Sequence, residues 1–223
     1  MKKVSAIICA YNEEKTIKEV ILSVSKALIV SEIVIVNDGS TDNTKEIIEA
    51  LKAEIEITAI HLEKNKGKGY AMATGVENST GEIIVFIDAD LSNLKEEHFE
   101  QLITPIFSNE ADMVLGQPTH TAIPLKLNPF KGFTGQRALK KKHIIPILDK
   151  MKKSRFGVET LMNIYYKSRK KKVILVNLKG LKHPIKYKKK TFFKATKQFL
   201  FEAKEIIYTL LINYQILKHL FKV

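Results

Sequence analysis

The chain has 223 residues, with 37 Lys+Arg against 24 Asp+Glu and a formal net charge of +13 at pH 7. A chain of this length can form one domain with a sizeable core, and its 45% hydrophobic content excludes a disordered protein. The charge is unevenly spread: residues 1–137 carry 14 basic and 20 acidic side chains, whereas residues 138–223 carry 23 and 4. The basic last third predicts an anionic partner, such as a nucleic acid, a phosphorylated acceptor or a lipid surface.

Cysteine content and hydropathy indicate the cellular compartment in which the protein is expected. Cys9 is the sole cysteine, which excludes an intramolecular disulfide and a multi-cysteine zinc site and fits a reducing compartment. The apolar run 4–10 is short and is followed by charged residues, so no signal peptide is expected. The longest uncharged C-terminal stretch, 206–217, has 12 residues, whereas a spanning helix needs about 20. We therefore expect a cytoplasmic protein, with peripheral binding to the inner face of the membrane left open.

Apolar runs and helical patterns alternate along the first 116 residues. The predicted strands are 4–10, 32–37, 55–62, 82–88 and 112–116, and the predicted helices are 13–26, 41–51, 67–79 and 95–107. Strands that are unbroken apolar runs and alternate with helices indicate an α/β fold with a mostly parallel sheet covered on both faces.

The pattern loosens after residue 116. Residues 117–134 contain three prolines and predict a long loop that could serve as a lid. Further along, 135–153 is predicted as helix interrupted at Pro146, 159–170 as helix and 172–178 as strand. Residues 191–221 predict one long helix.

Polar segments follow three of the predicted strands: Tyr11–Glu13, Asn37–Gly39 and Asp88–Asp90. Ligands of parallel sheets bind outside the carboxyl ends of the strands. Three polar segments at one edge therefore predict a ligand site there.

Asp88 and Asp90 lie one residue apart at the end of a buried strand. Carboxylate oxygens suit Mg²⁺ or Mn²⁺, which can bridge the phosphates of a nucleotide. The alternative is a solvated acidic turn that caps the next helix.

The segment Asn65–Gly69 places glycines and lysines at a helix start, where backbone N–H groups can approach a phosphate. It is neither a Walker A sequence nor a complete dinucleotide-binding fingerprint, and a flexible basic turn is the alternative. Asp38 could accept hydrogen bonds from a base or ribose, or simply belong to a turn, and the same choice applies to Glu13. A lone His183 among basic residues is more often structural or solvated.

In order and spacing, four segments resemble family 2 glycosyltransferases of the GT-A fold: Ile8–Glu14, Val36–Asp42, Asn65–Gly69 and Phe86–Leu91. Within that family, the sequence resembles the polyprenyl-phosphate-sugar synthase and glucosyl-phosphoglycerate synthase branches. The resemblance is strong over residues 3–116 and weaker over 130–187. It implies a GT-A domain over residues 1–190, made of a nucleotide-sugar-binding half (1–116) and an acceptor half (117–190), followed by an amphipathic helical tail (191–223).

The resemblance also implies roles for individual residues. The nucleotide-sugar donor would be bound by residues of the first half, namely Ala10, Tyr11, Glu13, Asp38, Asn65, Lys68, Asp88 and Ala89. A divalent metal, Mn²⁺ or Mg²⁺, would be held by Asp88, Asp90 and His183, with Asp90 the better candidate for direct contact. Gly135, Gln136 and Arg137 would lie on the acceptor side, and Glu159 would act as the catalytic base.

Two positions depart from the family pattern. Cys9 replaces the usual proline of the first motif, and Glu159 stands alone where an acidic pair is usual. The second departure leaves the base, and with it inversion or retention at the sugar, open. The implied reaction is transfer of a sugar from a UDP- or GDP-sugar to a phosphorylated or lipid-linked acceptor.

The final helix has apolar residues near helical spacing with lysines among them. Core packing, an oligomer contact and binding to an anionic bilayer are all compatible with that pattern. For the whole protein, the competing functions are an inactive glycosyltransferase-like scaffold, an RNA-binding basic protein and a sugar nucleotidyltransferase. RNA binding leaves the acidic edge unexplained, so no nucleic acid partner is expected. A nucleotidyltransferase should carry a Gly-rich basic loop after the first strand.

Overall fold

The computed structural model describes residues 2–120, 134–182, 208–209 and 211–216. The strands are β1 (Val4–Ala10), β2 (Glu32–Asn37), β3 (Thr58–His61), β4 (Ile83–Asp88), β5 (Met113–His120), β6 (Arg137–Lys140) and β7 (Val173–Lys182). The helices are α1 (Ile17–Ser25), α2 (Thr44–Lys52), α3 (Lys68–Glu77), α4 (Glu96–Phe107), α5 (Lys141–Ile144), α6 (Leu148–Lys153) and α7 (Val158–Ser168). Two 3₁₀ turns, Ile145–Ile147 and Arg155–Gly157, connect the later helices.

The strands form one seven-stranded sheet in the order β3-β2-β1-β4-β6-β5-β7. β6 pairs antiparallel with both β4 and β5, and the other neighbouring pairs are parallel. The α/β class and the mostly parallel sheet predicted from the sequence are confirmed.

Two apolar layers cover the sheet. Alternate residues of each strand point to opposite faces, so neighbours such as Ile7 and Ile8 belong to different core clusters. One cluster contains residues of α1, α2 and α4, and the other contains residues of α3, α6 and α7. The strands are buried on both faces, which is why they are unbroken apolar runs in the sequence.

The region after residue 116 differs from the prediction. Residues 137–140 form strand β6, so the predicted helix over 135–153 is wrong at its start. β5 extends to His120 and takes up the first part of the predicted loop. The remainder of that loop, 121–133, lies outside the described residues.

The described part of the C-terminal region, 208–209 and 211–216, has helical turns that contact the domain. Thr209, Asn213 and Ile216 are buried, and Ile216 belongs to the cluster with α3, α6 and α7. The described turns, which fall within the predicted tail helix, therefore pack one face on the domain. Among the helices that the structure describes, none is both long enough and apolar enough to cross a membrane.

Candidate active site

The carboxyl ends of β1, β2 and β4 bring the first polar segments together. Strand register pairs Ala10 with Asn37. Beyond the strands, the Asn12 N–H donates to Ser40 Oγ at 2.9 Å, and Asn12 Oδ1 accepts from the Thr41 N–H at 2.8 Å. The Glu13 N–H donates to Thr44 Oγ1 at 2.9 Å. Convergence of the polar segments at this edge, predicted from their positions after the strands, is confirmed.

Asp38 organises the loop that contains the Gly-Lys segment. Its Oδ1 accepts the Lys66 N–H at 2.7 Å, and its Oδ2 accepts the Gly67 N–H at 2.8 Å. Burial raises the pKa of Asp38, although these two hydrogen bonds act in the opposite direction. The next residue, Gly39, has φ +69° and lies against Asn65 N, where a Cβ would come within 2.6 Å. A carboxylate has about four lone-pair directions, so Asp38 keeps acceptor capacity for a ligand.

Lys68 bridges two carboxylates at the start of α3. Its Nζ lies 2.9 Å from Asp88 Oδ1 and 2.7 Å from Glu159 Oε1. Burial alone would lower the pKa of Lys68, but Asp88 and Glu159 raise it above its usual value. Asp88 ends β4 and Glu159 lies in the first turn of α7, so this cation joins the two halves of the domain.

A chain of hydrogen bonds holds the second oxygen of Asp88. Gln136 Nε2 donates to Asp88 Oδ2 at 2.7 Å. Thr134 Oγ1 lies 2.8 Å from Gln136 Oε1 and 2.6 Å from the Gly116 carbonyl oxygen. Position 135 requires glycine, because a Cβ there would overlap both carboxylate oxygens of Asp88. Gly135 and Gln136, expected on the acceptor side, therefore support the carboxylate cluster.

Arg137 is fully buried at the start of β6. Its Nε donates to the Thr134 carbonyl oxygen at 3.2 Å, and its Nη1 lies 3.4 Å from Asn163 Oδ1. Burial lowers the pKa of Arg137, and Glu159 and Asp88 partly offset that effect. The enclosed guanidinium of Arg137 thus holds the Thr134 backbone, and its expected place on the acceptor side stays a prediction.

Cys9 lies next to the cluster through its register partner, Asp88. Burial raises the pKa of the Cys9 thiol to about 12, with Lys68 acting in the opposite direction and Asp88 and Asp38 adding to the increase. The thiol is therefore neutral at physiological pH and acts as a small side chain beside the charged groups.

The other predicted donor residues occupy the same edge in different environments. Tyr11 is 45% exposed, as expected for a side chain that could stack on a base. Ala10 and Ala89 are buried, so their backbone groups are what they can offer a ligand. Asn65 and Glu13 are partly buried in the loops around Asp38.

Arg155 is a site residue that the sequence analysis missed. It has φ +44° in the 3₁₀ turn before α7, an uncommon conformation for a residue other than glycine. Its Cα and side chain lie 3.2 Å from the position of a Cβ on Gly67, and its charge lowers the pKa of Asp38, where burial is the larger and opposite effect. No local signal identifies Arg155, because only the fold brings it to the Gly-Lys loop.

Asp90 follows Asp88 at the end of β4 and is partly buried. Within the ranges that the structure describes, no group of three or more His, Cys, Asp or Glu side chains is arranged to hold a metal ion. His183 lies outside the described residues, but Lys182, which precedes it, pairs with Ser92, two residues after Asp90. The Ser92 N–H donates to the Lys182 carbonyl oxygen at 3.0 Å. The end of β7 thus returns to the Asp88–Asp90 segment.

Three similar proteins put this geometry in context. The chain is 36% identical over 126 residues to an uncharacterized protein of Methanocaldococcus jannaschii, covering 54% of each chain. It is 39% identical over 103 residues to undecaprenyl-phosphate 4-deoxy-4-formamido-L-arabinose transferase of Yersinia enterocolitica, covering 44% of this chain and 32% of that protein. The protein spans about half the length, or less, of these curated relatives.

Among solved structures, glucosyl-3-phosphoglycerate synthase from Mycobacterium tuberculosis, in complex with Mn²⁺, uridine-diphosphate and phosphoglyceric acid, superposes with a TM-score of 0.74. The two are 21% identical, and the match covers 94% of this chain and 78% of that one. This likeness confirms the GT-A fold. Residues 5–152, more than half of the chain, match the sequence family described as glycosyl transferase family 2. The protein therefore belongs to glycosyl transferase family 2.

Proposed function

We propose that the protein is a metal-dependent glycosyltransferase that moves a sugar from a nucleotide-diphosphate donor, a UDP- or GDP-sugar, to a phosphorylated or lipid-linked acceptor. The observation that carries the proposal is the cluster of Lys68, Asp88 and Glu159 at the carboxyl edge of the sheet. It places one cation and two carboxylates, drawn from both halves of the domain, beside the loops that follow β1, β2 and β4.

The loops around Asp38 would bind the nucleotide. Tyr11 is exposed and can stack on the base. Glu13 and Asp38 can accept hydrogen bonds from the base and ribose, and Asn65 can both accept and donate them. Arg155 stands beside the Gly-Lys loop and would bind the diphosphate, since guanidinium groups match phosphate geometry. Lys68 is held by two carboxylates and so would reach the phosphates only if one of those contacts is exchanged.

The residues present fit a divalent metal. Mg²⁺ in nucleotide enzymes is commonly held by one or two carboxylates together with substrate phosphates, so a closed set of protein ligands is not required. Asp90 would be the direct ligand, because both oxygens of Asp88 already accept hydrogen bonds from Lys68 and Gln136. His183 is the proposed second ligand, supported by the pairing of Lys182 with Ser92. Such a metal would neutralise charge on the departing diphosphate.

Glu159 is the residue proposed to act on the acceptor hydroxyl, as the base that takes its proton. Its Oε1 accepts from Lys68, which fixes the carboxylate and leaves Oε2 to take the proton in an inverting reaction. In a retaining reaction, Glu159 would only position the sugar or the acceptor.

The metal assignment is tested with Asp90→Asn. Turnover of sugar nucleotide with Mn²⁺ should be abolished, and Asp149→Asn, an exposed aspartate on α6, should leave it unchanged. Full activity of Asp90→Asn would remove Asp90 from the site. Mn²⁺ titration of His183→Ala tests the second ligand separately.

The base assignment is tested with Glu159→Gln, an isosteric change that should reduce turnover about 10²-fold or more while donor binding persists. Normal turnover would exclude Glu159 as the base. The anomeric configuration of the product, measured by NMR, decides between inversion and retention.

Donor class is tested by thermal unfolding with UDP or GDP, each with and without Mn²⁺. A nucleotide that binds the folded state should raise the unfolding temperature in proportion to its occupancy. Stabilisation by one nucleotide, enhanced by the metal, supports the transferase. Stabilisation by RNA alone would favour the competing RNA-binding function.

A peripheral location on the membrane would suit a lipid-linked acceptor, a class that includes the undecaprenyl phosphate named for the Yersinia enterocolitica relative. Opposite the buried Thr209, Asn213 and Ile216, the C-terminal helical turns expose apolar side chains, namely Tyr208, Leu211, Ile212 and Tyr214. Apolar side chains close to a basic segment are typical of helices that bind anionic bilayers.

Sedimentation with anionic liposomes at low salt tests this location. The intact protein should bind, and Leu211→Ser/Ile212→Ser should bind at least tenfold more weakly, because it loses buried apolar area. Leu28→Ser is the control, since Leu28 is 90% exposed on another surface. Failure of the intact protein to bind would exclude the membrane location and leave the transferase itself intact.

A further inference from the structure

A basic cavity lies at the opposite edge of the sheet from the candidate active site. It has a volume of about 300 Å³ and lies between α5, the end of α7 and the segment that leads into β7. The residues that line it are mostly basic or aromatic: Lys142, His143, Tyr165, Tyr166, Arg169 and Lys171.

The end of α7 gives the cavity its basic side. The Arg169 N–H donates to the Tyr165 carbonyl oxygen at 3.1 Å, and the Lys171 N–H donates to that of Tyr166 at 3.0 Å. Between them Lys170 has φ +52°, so the chain reverses in the left-handed manner that commonly ends helices. Two cations, Arg169 and Lys171, are thereby placed on the wall of one cavity.

Two polar atoms in the cavity wall have no hydrogen-bond partner within the described part of the chain. They are Tyr166 Oη and His143 Nδ1, and Tyr166 is fully buried. His143 Nδ1 lies 3.7 Å from Asp112 Oδ1, which is beyond hydrogen-bond range. The two rings are neighbours, with centroids 6.2 Å apart, and buried polar groups are normally paired, so these two atoms point to a ligand that would pair with both.

The charge around these atoms is predominantly positive. Lys142, Arg169 and Lys171 form no salt bridge with any carboxylate that the structure describes. Asp112 is the carboxylate that acts on His143, but it also interacts with Lys171 and with Lys140 Nζ, which lies 3.5 Å away, so one anion is shared among several cations. Burial and then Lys171 lower the pKa of His143, with Asp112 acting in the opposite direction, as expected where negative charge is lacking.

We propose that this cavity binds a phosphate group, as a free anion or as part of a monoester or diester. Tyr166 Oη and a ring N–H of His143 would donate to its oxygens, and Lys142, Arg169 and Lys171 would balance its charge. The adjoining cavity, which shares Lys142, is a weaker candidate because Lys140 and Lys141 there are held by Asn109 and by the Ser79 carbonyl oxygen.

This phosphate site is separate from the proposed active site. The cavity lies at the amino ends of β5 and β7, where Asp112 and Lys172 pair, whereas Asp88 ends β4 at the other edge. β4 alone spans six residues, roughly 20 Å of strand at about 3.3 Å per residue. The proposal does not rest on the proposed function.

The test is a titration of the intact protein with inorganic phosphate, followed by NMR of the histidine rings at constant ionic strength. The His143 resonance, assigned from its loss in His143→Gln, should move in a saturable way. Tyr166→Phe should weaken binding about tenfold, because one hydrogen bond to a charged ligand is lost. Lys142→Ala/Lys171→Ala should weaken it further. The matched control is Lys18→Ala/Lys45→Ala, which removes two exposed lysines on α1 and α2 and should bind as the parent protein does.

Thermal unfolding without phosphate establishes that each variant is folded. The proposal is overturned if His143 does not respond to phosphate, if Tyr166→Phe binds normally, or if the control variant loses binding equally. Glycerol 3-phosphate and phosphatidylglycerol vesicles then identify the source of the phosphate. Competition by the vesicles indicates a lipid head group, and competition by glycerol 3-phosphate alone indicates a soluble ester; either result supports the phosphate site.

Discussion

Residues 2–116 and 134–182, called here the first and second halves of the domain, support the candidate active site in different ways. Residues 2–116 do so with loops whose backbone N–H groups bond to side chains, as Lys66 and Gly67 do to Asp38. Residues 134–182 do so mainly with buried side chains, since Gln136 and Arg137 are completely enclosed. Loops can rearrange around a ligand, whereas a buried polar network tolerates little displacement.

This difference separates two classes of substitution. Changes in the loops of the first half should alter ligand binding while the fold is retained. Changes in the buried network of the second half should alter both stability and turnover, because unpaired buried polar groups are costly. The following variants test that division.

Gly135→Ala should have the largest effect. The new Cβ would overlap both carboxylate oxygens of Asp88, so the strand end or the loop must move. We expect turnover to fall about 100-fold, as for a displacement of about 1 Å in an active site, and stability to fall by about 1–3 kcal/mol. Steady-state kinetics and denaturant unfolding measure the two effects. Loss of turnover at unchanged stability would show that the second half is as adaptable as the loops.

Cys9 should react slowly with thiol reagents. With a pKa of about 12, little thiolate is present at pH 8, and even allowing for its higher nucleophilicity the rate should be roughly 50-fold below that of an unperturbed thiol. The folded-state pKa is above the unfolded value, so the stability gained from the neutral thiol is present below about pH 8.5 and is lost as the pH rises toward 12.

Alkylation rates between pH 7 and 11, with the unfolded chain as reference, measure this reactivity. Rapid modification in the folded state would contradict the raised pKa of the Cys9 thiol.

Lys68→Met removes the cation that joins the halves. Asp88 and Glu159 would then face each other without a counterion, and we expect a loss of about 2 kcal/mol, less than for a fully buried pair because all three side chains are partly exposed. Denaturant unfolding measures it. Lys66→Met is the matched control. It removes a lysine of the same loop whose Nζ contacts the Tyr70 side chain instead of joining Asp88 and Glu159.

A double-mutant cycle with Glu159→Gln isolates the coupling between Lys68 and Glu159. Additive losses would mean that the two halves are supported independently.

His61→Ala should have the smallest effect. Asn37 Nδ2 donates to His61 Nδ1 at 3.1 Å, and Asn37 Oδ1 accepts the Ser40 N–H at 3.0 Å, so His61 orients the loop that carries Asp38. We expect a two- to fivefold increase in donor KM with kcat unchanged, which corresponds to one hydrogen bond. A matching decrease in kcat would show that His61 affects the chemical step as well as donor binding.

The sequence predicted the first half well because each strand is an unbroken apolar run and each polar segment follows a strand end. Periodicity and strand polarity suffice there, without contacts between distant residues. The positions of Asp38, Lys68 and Asp88 at one edge follow from the same reasoning.

The second half was predicted less well because its roles depend on contacts distant in sequence. Residues 137–140, Arg-Ala-Leu-Lys, are good helix formers, yet β4 and β5 hold them as a strand, so tertiary pairing overrides local propensity. The enclosed guanidinium of Arg137 contradicts the usual exposure of arginine. Gln136 reaches Asp88 across 48 positions of sequence, a contact that no local pattern indicates.

The antiparallel direction of β6 has a consequence for how this protein can change. Arg137 pairs with Phe86 near the carboxylate cluster, and three residues later Lys140 pairs with Ile83 near the basic cavity. A slip of one residue in this pairing would turn every side chain of β6 to the opposite face. It would move Gly135 away from Asp88 and Lys140 away from Asp112 in one event. In a library of variants selected for activity, insertions or deletions inside β6 should therefore be rarer than those in the loops after β1 and β2. The reason is that the β4–β6 pairing fixes the positions of side chains at both ends of the sheet.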